Sequence, residues 1–177
     1  LDQKSFKTAQ TELTRVPDPL LRSMLWQSLW DSVKNGSLTL NDYMGTVLIN
    51  LPAEQDQIIL DQVLTSLSQA KVYLDKMHPN NQRYAGKAIS AMEQMSLRKV
   101  MANKDKRDLQ RIWFDSYIEF AQSKAALNHM DALLNSTATI NGLEIDQALR
   151  WKMIVQLNRH DHRNARYWLN KEQSADN

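Results

Sequence analysis

Ala53-Glu54-Gln55-Asp56-Gln57-Ile58-Ile59-Leu60-Asp61-Gln62-Val63-Leu64-Thr65-Ser66-Leu67-Ser68-Gln69-Ala70-Lys71-Val72-Tyr73-Leu74-Asp75 is the stretch that decides the fold. Its apolar residues Ile59, Val63, Leu67, Ala70 and Leu74 recur at i, i+4, i+8, i+11 and i+15. That is the 3.6-residue period of a helix with one buried face. A half-buried strand would alternate every second residue, and no sustained alternation occurs anywhere in the chain. With Pro52 at its head, the pattern predicts one long helix over about 53–75.

Upstream, Asp18-Pro19 pairs a capping carboxylate with a proline suited to a first helical turn, and Asn35-Gly36 supplies a left-handed stop. A helix over about 19–34 is expected between them. Leu21, Met24, Leu25 and Leu29 make one apolar stripe and Trp26, Trp30 and Val33 a second, so this helix should lie between neighbours. Asp42 to Leu51 reads as a short helix through Tyr43, Val47, Leu48 and Leu51, and 2–15 as a polar one with Phe6, Ala9 and Leu13.

Downstream, His78-Pro79-Asn80-Asn81 is a break. Helices follow over about 81–102 (buried stripe Ala85, Ala88, Ile89, Met92, Met95), 106–121 (capped by Asp105; Leu109, Ile112, Trp113, Phe120) and 123–135 (Ala126, His129, Met130, Leu133). Residues 136–144 form a loop with an Asn141-Gly142 turn, and 146–158 a further helix through Leu149, Met153, Ile154 and Leu157. The tail from 163 starts helical and ends polar. The fold class is therefore all-α: about eight antiparallel helices with short connections, in a HEAT- or armadillo-like α-solenoid or superhelical array. A compact bundle is the alternative. The 177 residues suffice for a single helical domain, 1–177, with its own core.

Four glycines and four prolines are too few for a sandwich or barrel. With no cysteine, disulfides, thiol catalysis and Cys-based zinc sites are excluded. This suits a reducing cytoplasm and a periplasm alike. A net charge of +2 is too weak to imply nucleic acid. No apolar run reaches the length of a membrane span, and no signal peptide is visible. The chain opens at Leu1, which reads as a piece of a longer protein.

A helical metallopeptidase motif needs two histidines one turn apart with a glutamate between them. His78, His129, His160 and His162 offer no such pair. His160-Asp161-His162 is the nearest cluster, but on a helix i and i+2 diverge. No Gly-x-Ser-x-Gly elbow or Gly-rich phosphate loop is present. Asp56/Asp61 and Glu144/Asp146 read as helix-start or solvated charges. Two basic stretches remain: 98–111, with Arg98, Lys99, Lys104, Lys106, Arg107 and Arg111, and 159–166, with Arg159, Arg163 and Arg166. Such runs are mostly solvated helix ends; lining a concave face, they would attract carboxylates.

Three stretches together resemble the C-terminal helical domain of the M1 zinc aminopeptidases (aminopeptidase N-like). Asp18-Pro19-Leu20-Leu21-Arg22-Ser23-Met24-Leu25-Trp26, running on to Leu29-Trp30-Asp31, is similar to the family's Arg, apolar–Trp and Leu-Trp pattern. Leu48-Ile49-Asn50-Leu51-Pro52-Ala53-Glu54-Gln55-Asp56 resembles its leucine-then-Glu-x-Asp opening of a long helix. Asn141-Gly142-Leu143-Glu144-Ile145-Asp146-Gln147-Ala148-Leu149-Arg150-Trp151 resembles its Asp-x-x-Leu-Arg-Trp helix start. The resemblance spans about 18–170; 76–140 matches only as helices.

The resemblance implies a parent enzyme that removes N-terminal residues from peptides. Its zinc ligands, His-Glu-x-x-His with a later Glu, and its Gly-x-Met-x-Asn motif belong to a preceding catalytic domain. None of them occurs here, so no catalytic residue or metal ligand is carried over. Further helices beyond Asn177 are implied as well. On this reading the chain is an accessory domain without catalysis of its own, with the parent's catalytic domain and peptide substrates as partners. Arg159, Arg163 and Arg166 are its candidate substrate-binding residues, holding a peptide's carboxylate end. The alternatives are a free-standing helical-repeat scaffold, which needs an exposed apolar groove, and an RNA-binding repeat, which needs a more basic face.

Overall fold

The computed structural model describes residue 6, residues 10–77 and residues 79–175. Its α-helices are α1 (Pro19–Lys34), α2 (Leu40–Asn50), α3 (Gln57–Asp75), α4 (Gln82–Ala102), α5 (Arg107–Phe120), α6 (Lys124–Leu134), α7 (Gln147–Arg159) and α8 (Ala165–Ala175). Short 3-10 turns occupy Leu13–Arg15, Leu51–Ala53 and Pro79–Asn81. No strand occurs among the described residues, so the chain is all-α. Of the expected helix over 2–15, positions 2–5 and 7–9, including Ala9, lie outside the described residues, as does His78.

The chain divides into two compact units, Leu1–Ala91 and Met92–Asn177. In the first, Asp18 caps α1 by accepting from the Leu20 and Leu21 amides, with Pro19 in the first turn. Gly36, at φ +78°, stops the helix. Ser23 Oγ donates to Gln62 Oε1 at 2.6 Å, and Trp30 Nε1 to Gln69 Oε1 at 3.1 Å. Both bonds span 39 positions, so α1 and α3 run parallel and in constant register. The Trp30 and Tyr43 rings, with centroids 5.2 Å apart, close α1 on α2. Trp26, Leu29, Tyr43, Val47, Leu51 and the whole predicted α3 stripe are buried.

The second unit repeats this logic. Arg111 pairs with Asp146 at 2.7 Å and Lys152 with Asp115 at 2.7 Å, which sets α5 and α7 parallel. Helix α6 runs antiparallel to α7: Gln156 Nε2 donates to Ala121 O at 2.6 Å near one end, and Arg150 Nη1 to Leu134 O at 3.1 Å near the other. In the second unit, then, alternate helices are parallel and sequential ones antiparallel, the packing habit of two-helix repeats, and in the first the alternate helices α1 and α3 are likewise parallel. Buried Glu93 of α4 accepts from the Gln122 and Ser123 amides and from Ser123 Oγ, so it holds the α5–α6 corner. Buried Ser96 and Ser116 hydrogen-bond at 2.9 Å between α4 and α5.

Several expectations are corrected. The long helix begins at Gln57, not 53: Glu54 turns its carboxylate onto the Gln55 and Asp56 amides, and Asp56 then caps Ile58 and Ile59. Helix α2 begins at Leu40, not at Asp42, because Thr39 caps it by accepting from the Asp42 amide. Asp105 does not cap α5; Lys106 holds that position and its side chain makes no capping bond. Helix α1 buries only one side, since Leu21 and Met24 stay in water.

Candidate functional site

The most built polar cluster gathers where α6, α7 and α8 meet in the second unit. Asp146 caps α7 by accepting from the Leu149 amide. This cap places Arg150 one turn into the helix. The Arg150 guanidinium then grips Glu172 of α8, Nε to Oε1 at 2.8 Å and Nη2 to Oε2 at 2.8 Å, and also donates to Leu134 O. Asp131 is buried on α6, where its carboxylate accepts from Trp168 Nε1 at 2.6 Å and from Asn164 Nδ2 at 3.0 Å. Each buried charge is thereby satisfied.

An open cavity of about 610 Å³ sits above this cluster, lined by Asn135, Ser136, Arg150, Asn164, Trp168 and Lys171, among others. Ser136 stands at φ 61°, which turns the chain sharply after α6. Lys171 Nζ lies over the Trp168 ring at 4.9 Å and over Tyr167 at 5.7 Å. The Arg150 bonds are spent inside the protein. Lys171, set against the Trp168 and Tyr167 rings, is the second cation lining the cavity.

Hydrogen bonding from Arg150, opposed by burial, holds the Glu172 carboxyl below the usual glutamate range, and Lys171 adds to the lowering. A depressed carboxylate pKa contributes stability that is present above the ordinary value of 4.5 and lost as pH falls through the lowered one. Urea midpoints measured against pH should therefore drop below about pH 4.5 more steeply in the wild type than in Glu172→Gln. Identical profiles would mean that the pair carries no linked stability.

The predicted arginines lie at the opposite end of α7. Arg159 is its last residue, exposed, with Nη1 donating to Gln156 Oε1 at 3.2 Å. Arg163 falls in the connection to α8, and Arg166 is the second residue of α8; both are exposed and form no ion pair among the described residues. All three share one helical corner. The 98–111 run is different, because its charges are partly tied down: Arg107 pairs with Glu144 at 2.8 Å, Arg111 with Asp146, and Lys99 lies 6.0 Å over Trp113. Arg111 holds Asp146 below the usual carboxylate range.

His160-Asp161-His162 is not on a helix but in the α7–α8 turn, with Asp161 at φ 49°. His162 Nε2 is 3.1 Å from Asn128 Oδ1, and Nδ1 accepts from the Asn164 amide at 3.4 Å. Half-buried His129 meets the Tyr117 hydroxyl at 3.2 Å. Burial pushes its imidazole down and, with Glu93, pushes the phenol up, so both stay neutral near pH 7. Among the described residues no three His, Cys, Asp or Glu side chains are placed to hold a metal ion. No described helix is long and apolar enough to cross a membrane.

Sequence reading missed the Arg150–Glu172–Asp131 cluster. Arg150 stands out in the Asp-x-x-Leu-Arg-Trp stretch, but its partners lie 22 residues ahead and 16 behind, with no local signal. A faint one exists in hindsight: Asp18-x-x-Leu-Arg22 and Asp146-x-x-Leu-Arg150 are the same pattern. Arg22 likewise grips Glu54, at 3.0 and 3.2 Å, and donates to Val16 O at 2.8 Å.

A family model described as "ERAP1-like C-terminal domain" matches residues 1–175. Aminopeptidase N of Streptomyces lividans is 28% identical over 157 residues, which cover 89% of this chain and 18% of that protein. The chain thus spans less than a fifth of the length of that relative.

Proposed function

The chain belongs to the ERAP1-like C-terminal domain family, a helical C-terminal domain of M1 aminopeptidases, and from that premise we propose that it is the accessory domain of a zinc-dependent aminopeptidase. It encloses the chamber in which peptides are cut and limits which peptides enter. We take residues 1–177 as a single domain of that parent, a reading supported by one family match that runs over residues 1–175. That match over 175 residues, set against a relative named as an aminopeptidase and more than five times longer than the aligned stretch, is the observation that carries the reading.

In this reading the zinc and the bond cleavage belong to the parent's catalytic domain. The chain's own contribution is a wall of packed helices and a set of exposed cations. A wall excludes folded or bulky substrates by size, and cations hold the far carboxylate of a peptide whose N-terminus lies in the catalytic centre. Arg159, Arg163 and Arg166 are assigned that holding role.

The full-length polypeptide should hydrolyse aminoacyl-anilides, lose that activity to a chelator and regain it with zinc, while residues 1–177 alone do not. A full-length polypeptide without this activity overturns the reading. Reversing all three arginines to glutamate in the full-length enzyme should raise KM for long peptides by up to about fivefold, the worth of one solvated ion pair near 1 kcal/mol, and leave dipeptide KM unchanged. Equal KM ratios across peptide lengths would remove the three arginines from the mechanism.

A further inference from the structure

We propose that an apolar ridge made by Leu20 and Met24 of α1 and Ile58 of α3 is the surface on which the rest of this protein's own polypeptide docks. The proposal rests on the reading above, that the chain is one part of a larger enzyme.

The ridge follows from the register of two helices. Ser23 and Gln62 are bonded twice, Ser23 Oγ to Gln62 Oε1 at 2.6 Å and Gln62 Nε2 to Ser23 O at 3.2 Å. They therefore face each other at one level of the parallel α1–α3 pair. Leu20 lies one turn before Ser23, and Ile58 one turn before Gln62, so both project at the next level down on the two sides of the same seam. Met24 follows Leu20 at i+4 and extends the stripe along α1. These side chains are 69%, 60% and 78% exposed for Leu20, Met24 and Ile58, while Trp26, Leu29, Ile59 and Val63 on the inner sides are buried. Single exposed apolar residues are ordinary, but a converging set on two adjoining helices marks an interface.

The surroundings select the occupant. Asp18 and Asp56 cap the two helices at this end, and Asp61 is exposed one turn into α3. A second copy of this chain, docked isologously, would bring these carboxylates against their own copies, which opposes pairing. A partner with apolar side chains in a basic frame fits instead. The chain accounts for only 18% of the length of its relative, so the larger part of such a protein lies outside the structure and has to contact this domain somewhere. An uncovered apolar ridge with an acidic frame is the face suited to that contact.

The test uses the full-length polypeptide carrying the photo-crosslinking residue benzoylphenylalanine, in separate variants Met24→benzoylphenylalanine, Ile58→benzoylphenylalanine and, as control, Val155→benzoylphenylalanine. Val155 is also exposed, but on α7. Irradiation followed by peptide mass spectrometry should join positions 24 and 58 to segments outside the 177 residues of the same molecule, and position 155 to none of those segments. No cross-link, a cross-link to residues 92–177, or one to a second copy overturns the docking proposal. The readout does not depend on catalysis. Anilide hydrolysis without these cross-links leaves the aminopeptidase reading standing and removes the ridge from the interface. Cross-links without hydrolysis do the reverse. A second measurement guards against perturbation by the bulky probe: the triple variant Leu20→Asp, Met24→Asp, Ile58→Asp should be cleaved from the rest of the polypeptide several times faster by limited proteolysis, and Val155→Asp at the wild-type rate. Equal rates for both would overturn the proposal.

Discussion

Gly142→Ala is expected to destabilise the protein by roughly 2–5 kcal/mol, as backbone strain and an unrelieved overlap add together. Gly142 sits at φ +82°, where an L side chain is strained whatever the space around it. A Cβ built there would also lie 2.1 Å from the carbonyl oxygen of Lys104 and 3.0 Å from its carbon. Backbone cannot swing aside as a lysine tip could. The loop is pinned as well, because Gln110 Nε2 donates to Asn141 O at 2.8 Å and to Val100 O at 3.1 Å. Gly36 is the control: it too has positive φ, +78°, but nothing lies within 4 Å of its Cβ. Gly36→Ala should therefore cost only the conformational part, about 1 kcal/mol. Urea midpoints for the two variants decide the matter. Equal losses would show that the approach of the 141–143 turn to Lys104 is loose.

Arg22→Ala should cost about 3–5 kcal/mol, because it strands a buried charge. The Arg22 and Glu54 side chains are 13% and 3% exposed, and Arg22 also donates to the carbonyls of Val16 and Pro17. Without Arg22, Glu54 keeps its bonds to the Gln55 and Asp56 amides but loses its counter-charge. Arg22→Lys should recover only part of the loss, since an ammonium cannot make the two parallel bonds that the guanidinium makes. Removing both charges, as in Arg22→Met with Glu54→Leu, should cost less than Arg22→Ala alone, because no charge is left unpaired. A thermodynamic cycle over the single and double variants measures the coupling. Single losses that simply add would mean that the two groups do not stabilise one another.

The candidate site was legible in one part only. Arg159, Arg163 and Arg166 stand out because they are near in sequence, and nearness along a chain that turns once keeps them on one corner. The Arg150–Glu172–Asp131 cluster did not stand out, because its members come from three helices and each reads alone as an ordinary surface charge. The same holds for the apolar ridge. Met24 falls in a stripe that reads as buried, Leu20 falls in neither stripe of α1, and Ile58 sits beside a true core residue, Ile59. Only the register between α1 and α3 places them in water.

Local chemistry was enough to determine that this protein is all helix, where most helices begin and end, and which stripe of α3 is buried. Period, caps and stops act within a few residues, and the chain carries them plainly: Asp18-Pro19, Asn35-Gly36, Ser123 and Asp146 behave as short-range rules require. Tertiary structure alone decided which side of α1 stays wet and which acids the arginines hold. In each case the deciding partner is distant in sequence: Glu54 lies 32 positions from Arg22, and Gln62 lies 39 from Ser23. A burial or pairing energy that exists only when two far segments meet leaves no mark on either segment by itself.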